Sequence, residues 1–462
     1  MKRFHSPASR DAFPLLPGRA MAGAPRREAF PTVLSFGVIS RQERIYFQEF
    51  FPVSREAAGP GFPAPAWQGT CFDRETPTAA RQSNLKSHRS KNMIVGILKE
   101  IKSEENRVCM TPAGVEVMCQ HGHTLLVEKN AGAGSGFEDA AYKAAGAEIV
   151  DGPKDIYARA DMVMHVKEPM PAEYDLIREG QIVFTYLHLA ADERQTMALI
   201  KSKCVGIAYE TMQKADGSLP LLTPMSEVAG RMAIQQGAKY LEMEHGGLGV
   251  LLGGVPGVDP GTVVVIGGGE VGANAAKMAC GLGAKVYILD LDLDRLRYLS
   301  DIMPKNCIPL MSSPAVVRDL VSRADVVVGA VLIPGAKAPK LVTREMLKLM
   351  KKGSVLVDVA IDQGGCFETS KPTTHGDPIY TVDGVVHYCV ANMPGAVAKT
   401  STLALTNATL PYALEIATKG WKQAMRDTLE IKNGANVVGG KATFKGVSDA
   451  FGLDYTPVES LL

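Results

Sequence analysis

From Met93 onward, short apolar runs rich in β-branched residues alternate with segments whose apolar positions recur every three or four residues. Strands are expected near 93–98, 124–128, 148–150, 162–166, 182–187 and 205–210. Between them helices are expected at 112–121, with Thr111 as N-cap and Pro112 at the first position, and at 138–145 and 192–202. A longer helical pattern, 227–244, follows Ser226, which reads as its cap and could bridge two domains. Helices at 314–323 and 343–350 then alternate with strands at 325–331, 354–360 and 385–390. The tail from Ala398 is helical again, with a Gly-rich break at 433–440. Alternation on this scale predicts an α/β architecture with parallel sheets.

One stretch of that pattern carries chemistry. The run Thr262 to Ile266 leads into Gly267-x-Gly269-x-x-Gly272, a helix-compatible segment (Ala273 to Leu282) and a second strand (Ala284 to Leu289) that ends in Asp290. Gly267 permits the tight turn, Gly269 a close approach of a pyrophosphate, and Gly272 close packing of helix on strand. The helix start, with Glu270 and Val271 in its first turn, offers free N–H groups and a positive dipole end to phosphates. Asp290, 18 residues after Gly272, stands where a carboxylate accepts hydrogen bonds from an adenosine ribose. A carboxylate there would repel a 2′-phosphate, which favours NAD over NADP. Arg295 argues the other way, since its guanidinium could receive that phosphate. Glu270 is an oddity, a negative charge beside the expected pyrophosphate unless its side chain turns to solvent. Upstream, Leu125 to Glu128, the glycines Gly132, Gly134 and Gly136, and Glu148 to Asp151 imitate the same unit. They lack the packing glycine three positions after the second, so the stretch reads as a βαβ unit with a glycine loop.

Composition narrows the rest. A chain of 462 residues has room for two or three domains, and 46% hydrophobic with 21% charged residues is ordinary for a globular enzyme. A net charge of +1 gives no reason to expect nucleic acid or an anionic membrane as partner. The scattered cysteines form no CxxC and no Cys/His cluster, which argues against a structural zinc and for a reducing compartment. No run is long and apolar enough to cross a bilayer, so a cytoplasmic location is expected. Residues 1–92 are Pro-rich and basic, without a sustained period. They read as a disordered or non-native extension, with a targeting segment as the alternative.

Four charged or polar groups lie where a parallel sheet would hold a ligand. Lys167 ends the run from Met162, His188 ends the run from Ile182, and Asp362 follows the run from Val355. Arg107 lies in a polar loop after the first strand. Each also has an ordinary reading: solvated surface cations, a hydrogen-bonded core histidine and a turn-capping carboxylate. Spacing alone does not show that they converge.

The segments Asn106 to Val115, Val166 to Pro169, Tyr186 to Ala190, Met225 to Gly230, Asp362 to Gly365 and Tyr388 to Gly395 resemble, in order, those of the alanine dehydrogenase/pyridine nucleotide transhydrogenase family. The resemblance runs from Met93 to the C-terminus and leaves residues 1–92 without a counterpart. It implies a two-domain α/β protein, a Rossmann-type NAD-binding domain (221–397) inserted into a discontinuous substrate domain (93–220 and 398–462). It implies reversible NAD-dependent deamination of L-alanine to pyruvate and ammonia by a homohexamer. Arg107 and Lys167 would then bind the substrate carboxylate and carbonyl, His188 would be the general acid/base, and Asp362 would order the attacking water or ammonia. Ser226, Asp290, Arg295, Ser312, Val331, Leu332, Val359, Ala360, Ile361, Asp362, Val390, Ala391, Asn392 and Met393 would line NAD together with the glycine turn. Lys371 stands where the family usually carries an arginine near the cofactor, which puts that contact in doubt. Histidine suits proton transfer near neutral pH, and paired cations suit a carboxylate and developing oxygen charge. The soluble NAD-binding subunit of a proton-translocating transhydrogenase, an opine-forming dehydrogenase and a non-enzymatic NAD-binding regulator are the alternatives.

Overall fold

A computed structural model describes residues 92–331 and 338–462. All of the 1–92 stretch but Asn92, and the contact assigned to Leu332, therefore lie outside the described residues. The first sheet takes β1 (Ile94–Ile97), β2 (Thr124–Glu128), β3 (Glu148–Val150), β4 (Met162–Met164), β5 (Ile182–Thr185) and β6 (Val205–Ala208), all paired in parallel. The second takes β7 (Thr262–Ile266), β8 (Lys285–Asp290), β9 (Cys307–Met311), β10 (Val326–Gly329), β11 (Val355–Asp358), β12 (Ile379–Val382) and β13 (Val385–Tyr388), with only β12 antiparallel.

Both sheets are wound alike. In the first, β3-β2-β1-β4-β5-β6 are neighbours in that order; in the second, β9-β8-β7-β10-β11-β13 are. Each is the doubly wound order in which the chain reverses direction between its first and fourth strands, opening a crevice beyond their carboxyl ends. The crevice of the first sheet lies between β1 and β4, and that of the second between β7 and β10. These strands are buried on both faces and read as unbroken apolar runs, as parallel strands covered by helices must. Among the described residues no helix is long and apolar enough to cross a membrane.

Two sequence expectations are corrected. The long helix is Thr223–Tyr240, so Ser226 sits inside its first turn, donating its N–H to the Leu222 carbonyl, and caps nothing. Pro224 near the start supplies what the missing cap would, since its fixed φ is already helical and the N–H it lacks would have had no partner. The second correction concerns the tail, whose Gly-rich break at 433–440 contains β14 (Ala435–Val438). β14 adds antiparallel to β6 and carries β15 (Lys441–Ala442) on its outer edge. Flanking glycines hid a four-residue strand that returns the chain to the first sheet. The β2–β3 pair is parallel, as a βαβ unit requires. Its glycine loop is spent inside the protein, because Ser135 donates its Oγ hydrogen to the Asn106 carbonyl (2.9 Å) and so props the loop that carries Arg107.

Candidate active site

The second crevice is shaped for phosphates. Gly267 turns at φ +105°, and a Cβ on Gly272 would collide with the Gly267 carbonyl, so helix Glu270–Gly281 can start this close to β7 only with glycine there. Around Gly269, at the N-terminus of that helix, a Cβ would meet nothing within 4 Å. Helix Thr223–Tyr240 packs along helix Glu270–Gly281, where a Cβ on Gly230 would strike the Val271 carbonyl, and Ser226 lies one turn earlier on the same helix.

Asp290 closes β8 and folds back onto the glycine turn. Its Oδ2 accepts from the Gly268 N–H (2.7 Å) and its Oδ1 from the Asp292 N–H (2.9 Å). Each oxygen keeps a lone pair for a ribose hydroxyl. The structure also accounts for the two misgivings about this turn. Arg295 donates from Nε to the Gly268 carbonyl (2.6 Å), stacks on Tyr298 and lies 3.6 Å from the Glu270 carboxylate. The Glu270 side chain is 52% exposed, so its charge is both solvated and paired. We therefore expect Glu270→Gln to change the dinucleotide Kd by less than about fivefold, the worth of a surface ion pair. Clearly tighter binding in a titration would mean that the carboxylate faces the pyrophosphate after all. Ser312 follows β9 and donates its N–H to the Asp290 carbonyl, while Val331 follows β10.

The 3₁₀ turn Val359–Gln363 follows β11 and carries Val359, Ala360, Ile361 and Asp362. It is held by a residue that sequence alone did not single out. Buried Asp358 accepts from the Ala360 N–H (3.1 Å), the Cys366 N–H (3.0 Å) and Ser370 Oγ (2.5 Å). Asp362 projects exposed from that turn. Lys371 lies over the Tyr380 ring, its ammonium 4.5 Å from the centroid.

Arg107 and Lys167 hang from β1 and β4, the strands that flank the first crevice. Arg107 is 2% exposed and its fork is nearly spent. Nε and Nη2 bind Glu105 (2.6 and 2.5 Å), Nη2 also donates to Asn392 Oδ1 (2.9 Å), and Nη1 lies 3.1 Å from the Met225 sulfur. Of the five N–H donors only the second on Nη1 remains to meet a ligand. Burial pushes the Glu105 carboxyl up, but Arg107 outweighs it and holds that carboxyl at about 2. Asn392, at φ +59° after β13, donates in turn to Glu105 Oε2 (3.0 Å). Arg107 of the first sheet and Asn392 of the second are thus joined through one buried carboxylate. Val390 and Met393 are buried on either side of Asn392, with Ala391 partly buried.

The Lys167 backbone is fixed at both ends, its N–H at Glu100 Oε2 (3.3 Å) and its carbonyl at Thr185 Oγ1 (2.8 Å). Among the described residues its ammonium has no hydrogen-bond or ion-pair partner. Burial lowers its pKa and the Arg107 charge adds to this, against the opposing pull of Glu105 and Asp362.

His188 occupies a left-handed turn (φ 49°, ψ 35°) beyond β5. Glu210, which sequence reasoning missed, pins that turn by accepting from the Leu187 and His188 N–H groups (3.1 and 2.6 Å). The same carboxylate lies 4.0 Å from His188 Nδ1, and the ring stacks on Tyr186. Held on one side only, the imidazole is 47% exposed. A non-glycine residue held in this region costs about 1–3 kcal/mol and points to a positional demand. Among the described residues no hydrogen bond or ion pair joins His188 or Asp362 to Arg107 or Lys167.

Residues 96–229 match the family described as Alanine dehydrogenase/PNT, N-terminal domain, and residues 233–445 match Alanine dehydrogenase/PNT, C-terminal domain. A protein named Alanine dehydrogenase from Methanococcus maripaludis is 57% identical over 371 residues, which cover 80% of this chain and 100% of that protein. A solved structure named L-alanine dehydrogenase superposes with a TM-score of 0.76 at 49% identity, over 78% of this chain and 99% of that one. A transhydrogenase from Sinorhizobium meliloti superposes with a TM-score of 0.66 at 26% identity, over 76% and 99%.

Proposed function

Since the chain belongs to the alanine dehydrogenase/PNT family, we propose that it catalyses the reversible NAD-dependent oxidative deamination of L-alanine to pyruvate and ammonia. The observation that carries this reading is the pair of cations at the first crevice, buried Arg107 and half-buried Lys167, the former tied to the second sheet through Asn392. Such a pair suits a small carboxylate with a carbonyl or amine beside it. The higher identity to alanine dehydrogenases favours this activity over that of a transhydrogenase subunit. Mixing the protein with L-alanine and NAD should give NADH absorbance that depends on both. Silence in that assay, together with NADH binding, would move the chain to the transhydrogenase or regulator reading.

We take residues 221–397 as the nucleotide unit and 93–220 with 398–462 as the substrate unit. Gly267, Gly269, Val271 and Gly272 would receive the pyrophosphate, with Ser226 and Ser312 nearby, and Asp290 would receive the adenosine ribose. Val331, Val359 to Ile361 and Val390 to Met393 would pack around the nicotinamide half. When bound, NAD accepts the hydride that leaves the substrate α-carbon. Arg107 Nη1 holds the substrate carboxylate, and the Lys167 ammonium binds the oxygen on the reacting carbon. His188 moves protons at the nitrogen and oxygen of that carbon, and Asp362 orders the water or ammonia that attacks it.

Asp290 should make the enzyme NAD-selective, because Arg295 is already spent on Gly268 and Glu270. Asp290→Ser is expected to weaken NAD about tenfold and to narrow the gap to NADP. Saturation kinetics showing NADP used as well as NAD by the parent would overturn this assignment. We place the enzyme in the cytoplasm as a homohexamer. The free thiols of the described residues fit a reducing compartment, and the exposed apolar side chains of Met243, Leu251, Val255 and Val258 fit burial against further copies.

A further inference from the structure

Behind Lys167 lies a buried polar cluster that the reaction itself does not use. His165, 2% exposed, is the first residue beyond β4, and its ring stands between two carboxylates. Nδ1 is 3.4 Å from Glu100 Oε1 and Nε2 is 3.3 Å from Glu173 Oε1, while the Tyr157 hydroxyl lies 3.2 Å from Nε2. Two carboxylates held against one ring out of water demand a cation between them. Burial alone would lower the pKa of His165, but Glu100 and Glu173 outweigh it and raise it to about 10.

What those carboxylates do with their other lone pairs gives the cluster its direction. Glu100 accepts from the Val166 N–H (2.6 Å) and the Lys167 N–H (3.3 Å). Glu173 accepts from the Met170 N–H (2.8 Å). Both ends of the 166–170 segment are therefore held by acids that would repel each other without the ring between them. We propose that His165 is a positioning residue for the substrate lysine, bridging Glu100 and Glu173 so that the segment they hold aims the Lys167 ammonium into the first crevice. The inference rests on Lys167 being a substrate ligand.

The test compares His165→Gln, which can donate to only one of the acids and loses the charge, with His165→Lys, which restores one cation between them. KM for pyruvate, kcat and the Kd for NADH are measured on the full chain. His165→Gln should raise KM for pyruvate by about tenfold or more with NADH affinity within about twofold, and His165→Lys should return KM to within about threefold of the parent. A folded His165→Gln with parental KM and kcat overturns the proposal. So does a folded His165→Lys no better than His165→Gln, and so does a KM change matched by an equal loss of NADH affinity. Should His165→Gln not fold, Glu173→Gln breaks the bridge at the end remote from Lys167 and should raise KM in the same direction; parental KM there overturns the proposal. Lys167→Met separates the two levels: if it leaves KM for pyruvate unchanged, the assignment of the lysine fails, whatever His165 does.

Discussion

Changing His188 to asparagine should leave a folded protein that binds NADH with parental affinity and turns over about 10²–10⁴-fold more slowly, the usual worth of a positioned general acid/base. Asparagine is the substitution of choice because it tolerates the left-handed conformation that His188 adopts, and the backbone N–H can still donate to Glu210. The imidazole is nearly half exposed, so removing it opens no core cavity and stability should barely move. The nucleotide turn lies on the other sheet, which is why NADH affinity serves as an internal control. A folded variant that binds NADH and keeps near-normal kcat would remove His188 from the mechanism and leave proton transfer to Lys167 or Asp362.

Arg107→Met should be damaging in two separable ways. It removes the guanidinium from the proposed substrate site, at an expected loss of about 10²-fold or more in kcat/KM. It also strands Glu105 as a buried, unpaired carboxylate, which should destabilise the fold by about 3–5 kcal/mol near neutral pH. The pH dependence of stability tells the two apart. In the parent the Glu105 carboxyl is held at about 2, below its ordinary value of 4.5. Its contribution is therefore present above about 4.5 and lost as the pH falls toward 2. Without Arg107, burial governs, the carboxyl rises above its ordinary value, and the sign reverses, so the variant should recover stability relative to the parent on acidification. Denaturant midpoints that fall in parallel for both proteins between pH 7 and 4 would refute the ion-pair account.

How far these features can be read from sequence depends on the range of the interaction. The parallel strands were legible because burial on both faces leaves them as plain apolar runs, and the glycine turn because its geometry admits few other residues. Arg107, Lys167, His188 and Asp362 could be named individually, since each follows a strand. Their partners could not. Glu105 beside Arg107 looks like an ordinary solvated pair in a polar loop, and only the fold shows both buried against Asn392, 285 residues away. Glu210 and Asp358 act on neighbouring turns through backbone N–H groups, which leave no mark in composition. His165 did leave one, a polar residue at the end of an apolar run, but its meaning required the acids that β1 and the 170–176 segment bring to it. β14 was missed because four residues between glycines carry too little periodicity to outweigh their neighbours.

The contact of helix Thr223–Tyr240 with helix Glu270–Gly281 through Gly230 has a mechanical consequence. With Gly230 seated against the Val271 backbone there is little room there for one helix to slide along the other, and Arg231 Nε, donating to Asn274 Oδ1 (3.1 Å), ties the two again. If a cleft between the proposed substrate and nucleotide units opens to admit substrate, this contact favours hinge rotation that carries the long helix with the proposed nucleotide unit. Such a rotation would bend the chain before Thr223 and in the turn between Asn392 and Ala398, where Asn392 also bonds Glu105 and Arg107. Opening the cleft and releasing Arg107, the cation proposed to anchor the substrate, would then be a single motion.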